Sequence, residues 1–136
     1  MNQNNGSKID LARYRIKDAK EKLKAAKALF DLGYWSDSVG RSYYAIFSAT
    51  RSLLAMKAVD STKHSGVISL FNLHFVKTGL LSKECSKFIE TARRQREKSD
   101  YGDYVIITKE DAEHQIANAT QFIQAVKALL NKMLKE

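Results

Sequence analysis

The sequence predicts an all-α fold: an up-and-down four-helix bundle, or five helices if the third segment breaks near Gly79. Apolar residues recur at spacings of three and four over long stretches, which is the period of one helix face. The chain contains no proline, the residue that breaks helix interiors. Its hydrophobic content of 44% suits one packed core and exceeds that of a disordered chain. We therefore expect a helical domain over residues 9–136, preceded by a disordered polar tail over residues 1–8.

The first two helices are predicted from their apolar stripes. The first runs from about Ile9 to Leu32, and Gly33 is a typical helix C-terminal stop. The second runs from about Trp35 to Ala58, and a short polar linker over residues 59–63 follows it. The apolar positions of the first helix are Ala12, Ile16, Ala19, Leu23, Ala26 and Phe30.

The third segment is a shorter apolar pattern that a glycine interrupts. It covers about His64 to Lys77, and Gly79 follows it. Ser82 is then predicted to be the N-cap of the next helix. Cys85 stands among apolar residues of that helix, so we expect it to be a buried structural thiol.

The last helix is predicted to begin after a break in the helical rhythm over residues 99–107. Gly102 indicates a turn or loop within that break. Thr108, with Asp111 three residues later, resembles a capping box at a helix N-terminus. A long amphipathic stretch then continues toward the C-terminus.

The charge balance favours a polyanionic partner. The formal net charge is +8, from 23 Lys and Arg against 15 Asp and Glu. RNA, DNA, an acidic protein or an anionic membrane face would each suit that charge. The alternative is a solvated basic surface with no specific ligand. Since no apolar run approaches a transmembrane span and the first residues do not form a signal peptide, we expect a cytoplasmic protein.

The familiar signatures of catalytic and metal sites are missing from the sequence. There is no phosphate-binding glycine loop, no dinucleotide fingerprint and no His-Glu-x-x-His pair. A single cysteine excludes a disulfide within the chain and a cysteine-based zinc site. His74 and His114 are interpreted as ordinary surface or half-buried imidazoles, whereas His64 stands at a predicted helix start, where functional polar groups are common. We expect no metal and no cofactor.

The most informative stretch runs from Arg93 to Tyr104. It holds four cations within six residues and then two tyrosines. Cations that bind phosphates, beside aromatic rings that stack on bases, are what single-stranded nucleic acid requires. The alternative is a solvated helix end in which Arg96 pairs with Asp100 and Tyr101 packs on the bundle. Sequence physics alone favours neither reading.

Several segments together resemble the HEPN-domain proteins, in particular a branch of small stand-alone members. The resemblance covers about Ile9 to Leu134. It is carried by Gly33-Tyr34, by the run from Arg41 to Phe47, by Arg51-Ser52-Leu53-Leu54, by the run from Lys63 to Ile68, by Arg96-x-x-Ser99-Asp100-Tyr101 and by Ala119-x-x-Phe122-Ile123.

The resemblance implies a bundle of four or five helices that dimerises. Many HEPN proteins are metal-independent endoribonucleases of toxin–antitoxin, defence or RNA-processing systems, and others are non-catalytic RNA-binding or accessory modules. Many are encoded beside a minimal nucleotidyltransferase, an antitoxin that can adenylylate a tyrosine near the toxin's active site. By this resemblance, Tyr104 and Tyr101 are the candidate modification positions.

The resemblance also implies where the site lies. Catalytic HEPN proteins carry an arginine followed, after four to six residues, by a histidine, and the motifs of two subunits line one cleft. Here Tyr101 stands five positions after Arg96, and no histidine follows before His114. An unperturbed phenol, with a pKa of about 10, is a poor base near neutral pH. The catalytic candidates are Arg96, Asp100, Tyr101 and His64. The RNA-binding candidates are Arg93, Arg94, Lys98, Tyr104, Arg41 and Arg51.

Three hypotheses follow from the sequence. The first is a toxin-like ribonuclease in which the RNA 2′-hydroxyl is the nucleophile and Arg93 and Arg96 bind phosphate. The second is a non-catalytic RNA- or nucleotide-binding subunit that partners a nucleotidyltransferase. The absence of the motif's histidine after Arg96 favours this hypothesis. The third is a purely structural helical dimer whose charges are solvated.

Overall fold

The computed structural model describes residues 2–135, with side chains from Gly6 onward. Five α-helices follow one another: α1 (Asn2–Asp31), α2 (Trp35–Met56), α3 (His64–Phe71), α4 (Lys83–Tyr101) and α5 (Lys109–Lys135). A single π-helical turn, Asn72–Val76, extends α3. No strand occurs in this part of the chain. The all-α prediction is therefore confirmed, in its five-helix form, with the break around Gly79.

The N-terminal segment is helical from Asn2 onward, so α1 extends into the stretch predicted to be a polar tail over residues 1–8. Met1 and the side chains of residues 2–5 lie outside the described residues. The disorder of a tail over residues 1–8 stays a prediction. None of the helices within residues 2–135 combines the length and the apolar character needed to cross a membrane.

The second helix is the centre of the bundle. It packs against α1, α3, α4 and α5, and most of its side chains are buried. Its Tyr43 is completely buried, as are Phe71 and Phe75 of the third segment and Phe122 of α5. Because α2 contacts every other helix, a residue on any of its faces can meet a side chain from elsewhere in the chain.

Two of the three predicted helix-terminus signals are confirmed. Gly33 has φ of +85°, and the Tyr34 amide donates to the Leu29 carbonyl at 2.9 Å, which is a Schellman end. Thr108 and Asp111 form the predicted capping box through reciprocal hydrogen bonds of 2.9 and 3.1 Å. Ser82 occupies the N-cap position of α4, but its hydroxyl makes no capping hydrogen bond and instead lies 4.0 Å from the Cys85 sulfur. Cys85 is buried as predicted, and burial raises the pKa of its thiol.

The end of α2 repeats the Schellman geometry without a glycine. The Val59 amide donates to the Leu54 carbonyl at 3.2 Å, while Ala58 has φ of +54°. A left-handed conformation costs a residue with a Cβ about 1–2 kcal/mol, part of which is offset by the rigidity that alanine gives the unfolded chain.

Ala58→Gly should therefore raise the free energy of unfolding by up to about 1 kcal/mol, because it relieves this strain. Urea denaturation monitored by circular dichroism measures the change. Ala28→Gly, at an exposed position inside α1, is the matched control and should lower stability by about 0.5–1 kcal/mol. If both variants lost stability equally, the Ala58 conformation would not be the cause of strain.

Candidate functional site

Arg96 lies against three tyrosine rings on the surface between α2 and α4. Its guanidinium carbon is 5.3 Å from the Tyr44 ring centre, 5.6 Å from that of Tyr43 and 6.0 Å from that of Tyr101. Cations at such distances are attracted by the negative face of an aromatic ring. Arg96 Nε also lies 3.0 Å from Asp100 Oδ2, an ion pair whose angle is not that of a hydrogen bond. The guanidinium is thus held in place by its neighbours on α2 and by a carboxylate one turn away on α4.

Of the alternative in which Arg96 pairs with Asp100 and Tyr101 packs on the bundle, the structure contains the ion pair but not the packing of Tyr101. Its side chain is 74% exposed, and its ring borders the Arg96 guanidinium from the solvent side. Tyr101 is therefore accessible to a ligand bound over Arg96.

His64, the first residue of α3, joins the same cluster from the other side. Its Nδ1 lies 2.8 Å from the Tyr43 hydroxyl, and its ring centre is 4.3 Å from that of Phe47. The Tyr44 ring approaches it edge-on at 6.2 Å. Tyr43 is thus a shared neighbour, with Arg96 near its ring and His64 at its hydroxyl.

Burial and the neighbouring positive charges both favour the neutral imidazole of His64. Burial lowers the pKa of His64, and the positive charges of Arg96, Arg93 and Arg51 lower it further. Burial raises the pKa of Tyr43 to about 12, against the opposing effect of Arg96. At neutral pH the phenol is therefore protonated and the imidazole uncharged, which is the state that a general base requires.

The tautomer of His64 decides what its second nitrogen can do. If the proton is on Nδ1, the imidazole donates to the Tyr43 hydroxyl and Nε2 can accept a proton. If Tyr43 donates to Nδ1, Nε2 carries the proton and can give it up. Among the described residues Nε2 makes no hydrogen bond, so it is available to a ligand.

Two open clefts flank the cluster of Arg96, Tyr43 and His64. One, of about 550 Å³, lies on the His64 side and is lined by Phe47, Arg51, Asp60, Ser61, Thr62 and His64. The other, of about 470 Å³, lies on the Asp100 side and is lined by Leu29, Ser36, Asp37, Gly40, Arg41, Tyr44 and Asp100. The RNA-binding candidates Arg51 and Arg41 therefore line clefts on opposite sides of Arg96.

The remaining cationic candidates are less concentrated than their sequence spacing suggests. Arg93 is half-buried and pairs with Glu97 at 3.3 Å. Arg94 lines a separate shallow groove on α4 with Lys87 and Glu90. The pKa of Asp111 is lowered first by its hydrogen bond with the Thr108 backbone and also by the charge of Lys98, which places Lys98 near the start of α5.

Tyr104 also lies outside the cluster. It is in the loop after α4, fully exposed, with φ of +60°. Successive residues on a helix point in different directions, so the run from Arg93 to Tyr104 is spread over several surfaces.

Several residues of the site were not predicted. Tyr44 and Phe47 line its two clefts. The spacing of three residues from Tyr44 to Phe47 and of four from Phe47 to Arg51 would have identified their shared face of α2. Asp60 lines the cleft on the His64 side, and Arg15 Nη2 lies 3.7 Å from its carboxylate. Neither residue carries a comparable signal, because they come from the linker and from α1. Within residues 2–135, no group of three or more His, Cys, Asp or Glu side chains is placed to hold a metal ion.

The chain is similar to several known proteins. The profile of the family described as "HEPN domain" matches residues 12–129. Two proteins of Methanocaldococcus jannaschii, each named "Putative toxin", are similar to the chain. One is 38% identical over 88% of this chain and 88% of its own length, and the other 32% identical over 85% and 78%. A Thermotoga maritima protein named "UPF0332 protein" is 35% identical over 93% of this chain and 96% of its own length.

The electrostatic coupling inside the cluster can be tested by titration. We expect the pKa of His64, measured by NMR from its ring protons, to lie below 6.5 in the wild type. It should rise in Arg96→Met, because removing a nearby positive charge favours the imidazolium. The exposed Arg13→Met serves as the control and should leave the titration unchanged. A wild-type pKa of 6.5 or higher, or no response to Arg96→Met, would contradict this description.

Proposed function

Because the chain belongs to the HEPN domain family, we propose that it is the toxin-like component of a toxin–antitoxin or defence system and cuts single-stranded RNA at the cluster around Arg96. The observation that carries the proposal is the position of His64. The family's usual histidine is replaced by Tyr101, yet an imidazole from α3 reaches the hydroxyl of Tyr43, the tyrosine beside Arg96. Arginine and histidine thus share one neighbour, Tyr43, which the fold places between them although the sequence motif lacks the histidine.

RNA is the substrate class that the surface suits. The net charge of +8 and the flanking arginines attract a polyanion. The accessible Tyr101 ring, and the ring of Tyr44 near Arg96, can contact unpaired bases. Single-stranded RNA also brings its own nucleophile, the 2′-hydroxyl, so that no protein nucleophile is required.

The proposed reaction uses His64 and Arg96 in separate roles. His64 Nε2 takes the proton of the 2′-hydroxyl, and the 2′-oxygen attacks the adjacent phosphorus. The bond between the phosphorus and the 5′-oxygen breaks, which leaves a 2′,3′-cyclic phosphate. The departing 5′-oxygen takes a proton from solvent and becomes a 5′-hydroxyl. Arg96 stabilises the charge that develops on the phosphoryl oxygens. Asp100 positions Arg96, and Tyr101 supports the neighbouring base.

We further propose that a second copy of the chain completes the cleft. The loop after α4 exposes an unusual amount of apolar surface, since Tyr104 is fully exposed and Ile106 is 82% exposed. Patches of this kind commonly mark protein contacts. In the chain before a second copy binds, Tyr104 and Tyr101 are exposed and therefore accessible to modification by a partner nucleotidyltransferase.

A second candidate function is a non-catalytic RNA- or nucleotide-binding subunit that partners a nucleotidyltransferase. The observation in its favour is Tyr101 itself, which occupies the place of the family's histidine. This version keeps the cations and rings for binding and assigns no proton transfer to His64. The two functions differ in one measurable property, which is cleavage.

The test is incubation of the purified protein with several RNAs in the presence of EDTA. The wild type should cut, and Arg96→Met and His64→Ala should each lower the rate by about 100-fold or more, as expected for loss of charge stabilisation or of a general base. The cleavage products should end in 2′,3′-cyclic phosphates.

Arg13→Met and His114→Ala are matched controls, since both positions are exposed and distant in sequence from the cluster. Both should cut like the wild type. Absence of cleavage by the wild type, with retained RNA binding, would favour the non-catalytic subunit. Full activity of His64→Ala would overturn the proposed role of the imidazole.

A further inference from the structure

We propose that the cleft beside His64 is a binding site for one nucleotide of the RNA strand, with Arg51 and Arg15 on its phosphate and the rings of Phe47 and His64 against its base. This inference rests on the proposed function and specifies where the nucleotide next to the cleaved bond lies. It adds a site formed by α1, α2, the α2–α3 linker and the first residue of α3, none of which contains the Arg96 motif.

Two guanidinium groups from different helices converge on one oxygen atom in this cleft. Arg51 Nη2 of α2 donates to Asp60 Oδ2 at 2.8 Å, and Arg15 Nη2 of α1 lies 3.7 Å from the same oxygen. Arg15 Nη1 also donates to the Arg51 backbone carbonyl at 3.0 Å, which holds the Arg15 side chain against the α2 backbone at Arg51. Such a converging pair matches the oxygens of a phosphate as well as those of a carboxylate.

The pair of arginines is not fully neutralised by Asp60. Two positive charges face one carboxylate, so one positive charge remains. Arg51 Nε is buried and has no hydrogen-bond partner. A buried donor without a partner is costly, and an incoming phosphate has more acceptor oxygens than the single carboxylate that now occupies the site.

Asp60 is held in a way that lets it give way to a phosphate. It belongs to the linker between α2 and α3, its side chain is 47% exposed, and its other oxygen accepts only from the adjacent Ser61 amide. Half-exposed ion pairs of this kind contribute little to stability. Movement of Asp60 would therefore leave the bundle core intact.

The wall next to the arginines suits a base. The ring centres of Phe47 and His64 are 4.3 Å apart, and both rings line the cleft together with the hydroxyl residues Ser61 and Thr62. Its volume of about 550 Å³ lies within the range typical of small-ligand sites. A base held there would lie against the His64 ring, next to the imidazole that the proposed reaction uses.

The test is the dissociation constant of a fluorescent 2′-O-methyl RNA oligonucleotide, which lacks the nucleophile and stays intact. Arg51→Met should weaken binding by about tenfold or more, as expected when a charge-assisted phosphate contact is lost. Asp60→Asn should tighten binding several-fold, because it removes the competing carboxylate. It should also make binding more sensitive to salt. Arg13→Met is the matched arginine control.

Arg51→Met and Asp60→Asn are expected to change the affinity for RNA in opposite directions. Asp31→Asn removes an exposed carboxylate that does not line this cleft and measures the general effect of one added positive charge. A gain in Asp60→Asn that exceeds the gain in Asp31→Asn supports the site even if Arg51→Met loses stability. If Arg51→Met behaves like Arg13→Met, or if Asp60→Asn weakens binding, the nucleotide site is refuted while RNA binding by the protein stands. If the wild type does not bind RNA at low salt, the proposed function itself fails.

Discussion

The hydrogen bond between the Tyr43 hydroxyl and His64 is the interaction on which the site depends. Tyr43 is completely buried at the centre of the helix that contacts all the others, so its hydroxyl has a fixed position. His64 begins α3 and could otherwise point to solvent. The 2.8 Å contact turns its ring toward α2 and α4, where the Arg96 guanidinium lies near the ring of the same tyrosine.

Burial and positive charge act on the imidazole in the same direction. Both lower the pKa of His64, so the arginines that would bind phosphate also favour the neutral form of this imidazole. Arg96 and Arg93 oppose the effect of burial on the pKa of Tyr43, but burial prevails, and the phenol stays protonated as a hydrogen-bonding partner. A cationic surface and a neutral base are therefore compatible within one small cluster.

Much of the fold could be predicted from the sequence, because local signals determine it. Helical periodicity located the segments, Gly33 and the Thr108–Asp111 pair fixed two helix termini, and Gly79 indicated the break before α4. Ser82 occupies the predicted N-cap position, but the capping hydrogen bond is absent, because a suitable residue at the correct position can still turn its hydroxyl elsewhere. Such side-chain choices depend on neighbours that are distant in sequence.

The site was less predictable for the same reason. The Arg96–Asp100 pair is one helical turn apart and was visible in the sequence. The contacts that link Arg96 through Tyr43 to His64 join three elements, and the sequence did not predict them. The basic run from Arg93 to Tyr104 is divided among several surfaces. Arg51, Arg15 and Asp60 meet only because α1, α2 and the linker pack together.

The most direct measurement of the central claim is the RNA cleavage rate of Tyr43→Phe. This change keeps the buried ring and removes only the hydroxyl that orients His64, whose Nδ1 can then bond to water. The unfolding free energy should stay within about 1 kcal/mol of the wild-type value. We expect cleavage to fall by about tenfold or more, because the general base is no longer held in position. A folded Tyr43→Phe protein that cuts RNA at the wild-type rate would contradict the account.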